Sequence, residues 1–475
     1  MQNWSTARKA VNYTIVMGMT VIIFTALSTQ TIFWQQMIVD LGVSYSELNQ
    51  AMSVNYVGLA FGCVFFIPLA KKYGRRPVYI VSTALMLATS FWTYKIHSLA
   101  ELYVCNLLQG LAGATNEAIA EITSFLTPMA AGTQATRSGW RSSYSTLGIF
   151  NAIFLVLFMF LYEESKYVPV LTGQAQIETA QEGIPENTEQ DRKSILQSDT
   201  KTSLHTGPSS LNHELDPSIP LNSWRKRLAL VTPTPEPICP YYCRPFYILL
   251  SFPAVMFAAL QYAAGVIWLT ITSSVLSLVF PKPPYNFTPE QIGFMSVGPF
   301  IGNLIGSIYG GVLGDRSILF FSRRNKGFYE PEMRLYILHI PAIAMSGGLI
   351  MFGTTIARGM HWIFPSIGGA LFGFGLGSIS DAALTLVIDS YREITGDAFT
   401  GVAFLRNAAS IGIPFAMTPW MERNGLQNMF IACGFICLAI TSLILPMVFW
   451  GKRARRGLAT RYYRMVEQHG HSLGH

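Results

Sequence analysis

The chain has 475 residues, of which 51% are hydrophobic and 12% charged, with a formal net charge of +7 and a mean hydropathy of +0.35. So apolar a composition excludes a string of soluble domains and points to lipid as the solvent for most of the chain. The positive balance does not indicate a nucleic-acid partner, because Lys and Arg gather at the ends of apolar runs rather than along one face.

A hydrocarbon core about 30 Å thick requires about 20 apolar residues per helix. The first ten residues are short and polar, and the run after them is too long and poorly flanked for a cleaved signal peptide, so it is expected to stay as a span. Runs of span length follow near 14–35, 52–70, 78–96, 100–122 and 145–162. The stretch 121–140 is polar, is broken by Pro128 and Gly132, and offers too few residues for one more crossing with its turn at about 1.5 Å per residue. Five spans are therefore expected in a first half, residues 1–166. A segment rich in Ser, Thr, Glu, Gln and Pro, residues 167–244, buries too little apolar surface to offset the entropy of ordering and reads as a polar cytoplasmic linker. Six further runs, near 246–274, 291–313, 335–356, 362–388, 397–420 and 427–450, build a second half, residues 245–451. A basic tail, 452–475, closes the chain.

Of six cysteines, Cys63, Cys105, Cys433 and Cys437 fall inside apolar runs, where they act as small hydrophobes. Cys239 and Cys243 are loop residues with no second Cys or His pair nearby, so neither a zinc site nor a disulfide framework is expected. No nucleophile triad, phosphate loop or metal-ligand cluster stands out, which argues against an enzyme and against any cofactor.

Basic residues are retained on the cytoplasmic side during insertion. One set of loops carries Arg8 and Lys9, then Lys71, Lys72, Arg75 and Arg76, then Arg316, Arg323, Arg324, Lys326 and Arg334, then Arg392 and the arginines of the tail. The opposite loops hold Lys95, Lys282, Arg358 and Arg423. Each half is well oriented alone, yet five crossings before the linker would put the basic clusters of the two halves on opposite sides. The expectation is that one helix is missing.

Two halves of nominally six spans, a long polar linker, and a basic loop after the second span of each half resemble the major facilitator superfamily. That family's loop signature, G-x-x-x-D-R-x-G-R-R, runs here from Ile67 to Arg76. Its end is present as Gly74, Arg75 and Arg76, while Lys71 stands at the acidic position. The second half keeps Gly311, Asp315 and Arg316. The resemblance implies that these residues lock neighbouring helices through charge and helix-end contacts. Gly139-Trp140-Arg141, together with the phrase from Ser124 to Gly132, is similar to the fungal drug:proton antiporters and to related fungal cation and polyamine transporters. It implies an all-α fold of two pseudo-symmetric bundles with 11 rather than 12 spans, helix five being lost between Thr123 and Ser124.

Ionisable groups inside a span cost about 2.5–3.5 kcal/mol on insertion scales and are usually turned inward and used. Glu117 and Glu121 are four apart and share a helix face. Glu121 also fits a solvated helix end. Asp381 aligns with Glu117 when Gly377 is set on Gly113, an internal repeat that places spans four and ten across a common cavity. Arg406 lies within an apolar run and needs a carboxylate, for which Asp381 is the candidate, as a structural pair or as a switch. Gln30, Gln261, Tyr262 and Trp268 suit a cavity for organic cations; Trp34 fits such a cavity or an interfacial anchor. Gly298, Gly302, Gly306 and Gly310, with Gly369, Gly373 and Gly377, form ladders of small residues that permit close helix contact. Asn286 heads a glycosylation sequon, Asn286-Phe287-Thr288, in an outer loop.

These features together describe a monomeric secondary transporter of the plasma membrane, with both termini in the cytoplasm if the topology is rescued from the missing helix. It would move a small organic, cationic solute in exchange for protons across the bilayer. The alternatives are a truncated, non-transporting variant or a transporter-derived receptor.

Overall fold

The computed structural model describes residues 6–115, 121–164, 228–233 and 237–472, and every regular element among them is a helix. The first half opens with α1 (Thr6–Ser28), a 3-10 turn (Gln30–Phe33) and α2 (Trp34–Leu41), which stops at Gly42 in the left-handed region, φ 66°. Next come α3 (Tyr45–Tyr73), α4 (Arg75–Tyr94), α5 (Leu99–Gly113), α6 (Glu121–Ser138) and α7 (Trp140–Phe160). The turns are marked by local chemistry. Ser44 and Glu47 form a reciprocal capping box at the start of α3, and the Ser98 hydroxyl accepts from the Glu101 N–H at the start of α5.

Helix α6 corrects the expectation of an absent fifth span. Six long helices, α1 and α3 to α7, precede the linker among the described residues, and α6 escapes a reading that demands a continuous apolar run. Because α6 packs against α1, α7 and helices of the second half, protein encloses much of it. A Pro and several hydroxyls are tolerated there because Thr133 and Thr136 return their hydrogen bonds to Met129 O and Gly132 O.

The helix is nonetheless short, and so is its neighbour. Thr115, at the end of α5, lies beside Ser82 (hydroxyls 3.0 Å apart), whereas α4 continues about 10 Å further to Arg75. Ala114 meets Gly62 on α3, and Tyr73 lies about 16 Å beyond that point. On α6, Thr127 is level with Ser28 near the far end of α1 (3.0 Å), so Glu121 begins about 9 Å inward of it. Among the described residues, α5 and α6 are each shorter than the spans beside them.

The second half comprises α8 (Cys239–Ser251), α9 (Pro253–Val279), α10 (Pro289–Phe294), α11 (Val297–Ile308), a π turn (Tyr309–Leu313), α12 (Gly314–Arg324), a 3-10 turn (Pro331–Ile337), α13 (His339–Ala357), α14 (Ile363–Ser390), a 3-10 turn (Arg392–Ile394), α15 (Thr395–Thr441) and α16 (Ile444–Ser472). Residues 239–244, expected in the linker, are the first turns of α8. Helix α15 folds back at Gly425, φ 73°, giving two antiparallel limbs. Eight segments among the described residues are long and apolar enough to cross a membrane.

Buried apolar side chains fall into a cluster within residues 15–162, a larger one within 248–447, and a small one of Leu59, Cys63 and Ala114 against which Ala403 packs. Exposed Phe61, Phe65, Ile343, Phe435 and Phe449 form the outward surface that lipid covers. The glycine ladders bring α11 and α14 into backbone contact: a Cβ at Gly302 would lie 1.9 Å from Ala370 O, and one at Gly373 would lie 2.2 Å from Pro299 O. The tail is tied down, with Arg455 bonding Glu332 through two nitrogens (2.9 and 2.6 Å) and Lys452 pairing with Glu330. The Lys452 bond holds the Glu330 carboxyl below the usual range.

Gly302→Val should force α11 and α14 apart and cost roughly 1–3 kcal/mol or more. The expected readout is a lowered thermal midpoint of the purified protein. An unchanged midpoint would exclude this packing.

Candidate transport cavity and its latches

A cavity of about 130 Å³ lies between the halves. Its first-half wall comes from α1 (Phe24, Leu27, Ser28), Thr31 and Ile32, α3 (Met52, Asn55, Tyr56, Leu59) and Pro128 of α6. Its second-half wall comes from α9 (Tyr262, Val266, Leu269, Thr270, Ser273, Leu276, Ser277), Ile292, Ser296, and Arg406 and Asn407 of α15. Helices α3, α9 and α15 carry these polar groups one or two turns apart on the faces they turn to each other.

Two of the sequence candidates meet here. The Arg406 guanidinium lies 5.1 Å from the Tyr262 ring centroid, a cation–π arrangement, and donates to Asn407 Oδ1 from Nε and Nη2 (3.1 and 3.0 Å). Across the seam, the Tyr56 and Thr270 hydroxyls are 2.6 Å apart, and the Asn407 amide donates to Cys63 Sγ at 3.5 Å. Tyr56, Asn55, Thr270 and Asn407 were not singled out in the sequence; polar residues inside apolar runs were the available signal.

Other candidates lie elsewhere. Gln261 turns away from the cavity and donates to Ile440 O (2.8 Å). Trp268 is buried in the second-half core, and Gln30 is 3% exposed in the 3-10 turn. Trp34 is fully buried against Tyr45, which removes it from the interfacial role. Among the described residues no ion pair joins Asp381 to Arg406. The Asp381 carboxylate instead faces the Ser307 hydroxyl of α11, because α14 turns that side toward α11 rather than toward α15. Glu117 and the Glu121 side chain lie outside the described residues. Asn286 is exposed at the end of the bundle that also carries Lys282 and Arg358.

The basic loops assemble at the other end. Gly74 adopts φ 109°, and a Cβ there would fall 2.4 Å from Glu164 Oε2, so only glycine fits. That space admits the Glu164 carboxylate, which accepts from the Arg75 and Arg76 N–H groups (3.1 and 3.0 Å). An anion thus caps the positive end of α4. Arg76, 4% exposed, does the reverse for α7, donating to Phe158 O (3.4 Å) and Met159 O (2.6 Å) at its C-terminus and to Leu228 O. In the second half, Asp315 pairs with Arg334 (3.0 Å), which also approaches Asp389 (3.8 Å). Gly311 lies in the π turn and Arg316 is exposed.

Lys71, at the family's acidic position, pairs with Asp397 at the start of α15. The contact joins the halves with its polarity reversed relative to the signature. At the opposite end the halves touch through Asn49 and Thr418 (3.3 Å), and through Glu290 N donating to Thr136 Oγ1 (3.1 Å).

Lys71→Glu and Asp397→Lys should each place like charges together and lower the thermal midpoint. The double exchange should recover it, with a coupling of about 0.5–3 kcal/mol. Additive losses would show that the two residues are not partners.

The Major Facilitator Superfamily model matches residues 16–121 and 114–414, the two matches meeting where α5 ends. An uncharacterized MFS-type transporter of Schizosaccharomyces pombe is 27% identical over 98% of this chain and 87% of its own length. Protein HOL1 of Saccharomyces cerevisiae is 25% identical over 98% of the chain and 89% of its own. The MFS antiporter QDR3 of Candida albicans is 22% identical over 86% and 72%. Family match, helical architecture and an inter-half cavity agree: the chain is an integral multi-pass membrane transporter rather than an enzyme, and it belongs to the Major Facilitator Superfamily.

Proposed function

We propose that the chain is a secondary transporter that carries a small organic, cationic solute through the cavity by alternating access, in exchange for protons. The observation that carries this reading is the placement of the cavity on the seam between the halves, with polar contacts between the halves at both ends. The polar part of each latch includes an ion pair or hydrogen bonds among the described residues. A neutral bond of this kind nets about 0.5–1.5 kcal/mol, so each can open and re-form as solute binds.

The cavity suits an organic solute because apolar walls from Phe24, Leu27, Met52 and Leu269 are interrupted by hydroxyls and amides. Tyr262 already presents its ring to a cation, and a cationic solute would compete for that face. Arg406 opposes such a solute unless carboxylates offset its charge, which is the role proposed for Glu117, with Glu121 as a second acidic group. A proton taken by Glu117 as the cation leaves is the exchange step. The antiporter QDR3 among the relatives supports this direction.

The basic loops are assigned to the cytoplasm, so both termini and the linker lie inside, Asn286 lies outside, and the protein acts as a monomer in the plasma membrane. The presence of α6 before the linker supports a topology in which both halves keep the same orientation.

In proteoliposomes, Glu117→Gln should abolish the dependence of flux on a pH gradient while leaving the protein folded. Unchanged pH-driven flux would exclude Glu117 from the coupling. Protease added to sealed right-side-out vesicles should leave the linker intact and cut it only after permeabilisation. Cleavage without permeabilisation would reverse the orientation.

A further inference from the structure

A second polar site lies outside the cavity, where α11 and α14 touch. Asn303 is 1% exposed, and neither its Oδ1 nor its Nδ2 has a hydrogen-bond partner. A buried amide left unsatisfied costs about 1–3 kcal/mol, and native structures rarely keep one without a water or ion to answer it.

The surroundings say what would answer it. Gly377 provides a gap in the α14 wall: the position of its missing Cβ is 3.2 Å from Asn303 Nδ2 and 3.1 Å from Ser307 Oγ. The amide and the hydroxyl, one turn apart on α11, therefore border the same small space. One turn along α14, the Asp381 carboxylate faces that hydroxyl and remains accessible. The hydroxyl of Ser378 is already committed to Gly306 O (2.9 Å) and Phe374 O (2.8 Å). The helix ladder of α11 passes into the π turn just after Ser307, a register change that recurs at functional sites.

We propose that Asp381, Ser307 and Asn303 form a binding site for sodium. An amide that turns about its last bond presents Oδ1 as readily as Nδ2. The site then offers a carboxylate, a hydroxyl and an amide oxygen, the hard oxygen donors that small hard cations take. A cation here neutralises an intramembrane carboxylate and satisfies the buried amide together. It also joins α11 to α14 at the glycine ladder, on which the second half depends for close packing. None of these residues lines the solute cavity, so sodium would act on the bundle rather than on the solute directly.

The test uses the purified full chain in detergent, melted in sodium, potassium or choline chloride at equal ionic strength and fixed pH. Sodium alone should raise the thermal midpoint. The rise should be lost in Asp381→Asn and reduced in Ser307→Ala and Asn303→Ala. Should a variant fold poorly, sodium-23 NMR line broadening by the unaltered chain, with potassium as competitor, reads binding directly. Equal midpoints in the three salts together with no sodium broadening would overturn the site, as would a sodium effect that survives in Asp381→Asn. A midpoint that follows pH but not sodium would assign Asp381 to a proton and also overturn it. Loss of flux with sodium binding intact would count against the transport reading and leave this site standing.

Discussion

A backbone that crosses lipid must satisfy its polar groups internally, and its side chains must be apolar only where lipid touches them. Helix α6 stands on the second half of that rule. Its hydroxyls and proline survive because α1, α7 and the start of the second half surround much of it. A Cβ at Gly132 would meet Pro289 O at 2.6 Å, and one at Gly293 would meet Pro128 O at 2.6 Å, so α6 and α10 meet backbone to backbone. That contact fixes one flank of the seam, while α3 against α15 fixes the other. The cavity is the space left between the two flanks.

Charge at the basic end is organised by helix ends. Glu164 sits on the amino end of α4 and Arg76 on the carboxyl end of α7, each at the pole that favours it. Both belong to the first half and tie its helices to one another. Lys71 differs because Asp397 lies across the seam. Reversing the sign of a gate residue preserves its attraction when the partner reverses too.

The paired halves, the polar linker and the basic loops could be read from periodicity and charge, because hydropathy and Lys/Arg asymmetry act locally along the chain. The glycine ladders were equally legible, since four-residue spacing maps directly onto one helix face. Helix five was not, because enclosure by other helices leaves no local mark in the sequence. The Asp381–Arg406 pairing failed for a related reason. Adjacent span numbers suggested contact, but the azimuth of α14 is set by Gly302, Gly306 and Gly373 meeting backbone, and this turns Asp381 toward α11. Tyr262 and Arg406 were found because each is conspicuous alone, whereas Tyr56 and Thr270 matter only as a pair.

The shortened α5 and α6 also bear on how the halves move. At the end away from the basic loops, contacts join the halves on both flanks, through Asn49 and Thr418 and through Thr136 and Glu290. At the basic end, α3 and α15 meet through Lys71 and Asp397, while the described parts of α5 and α6 stop well short of that level. Among the described residues, these contacts lie on one flank at the basic end and on two at the other. Under the alternating access proposed above, a rocking motion between the two bundles would follow the smaller of these costs.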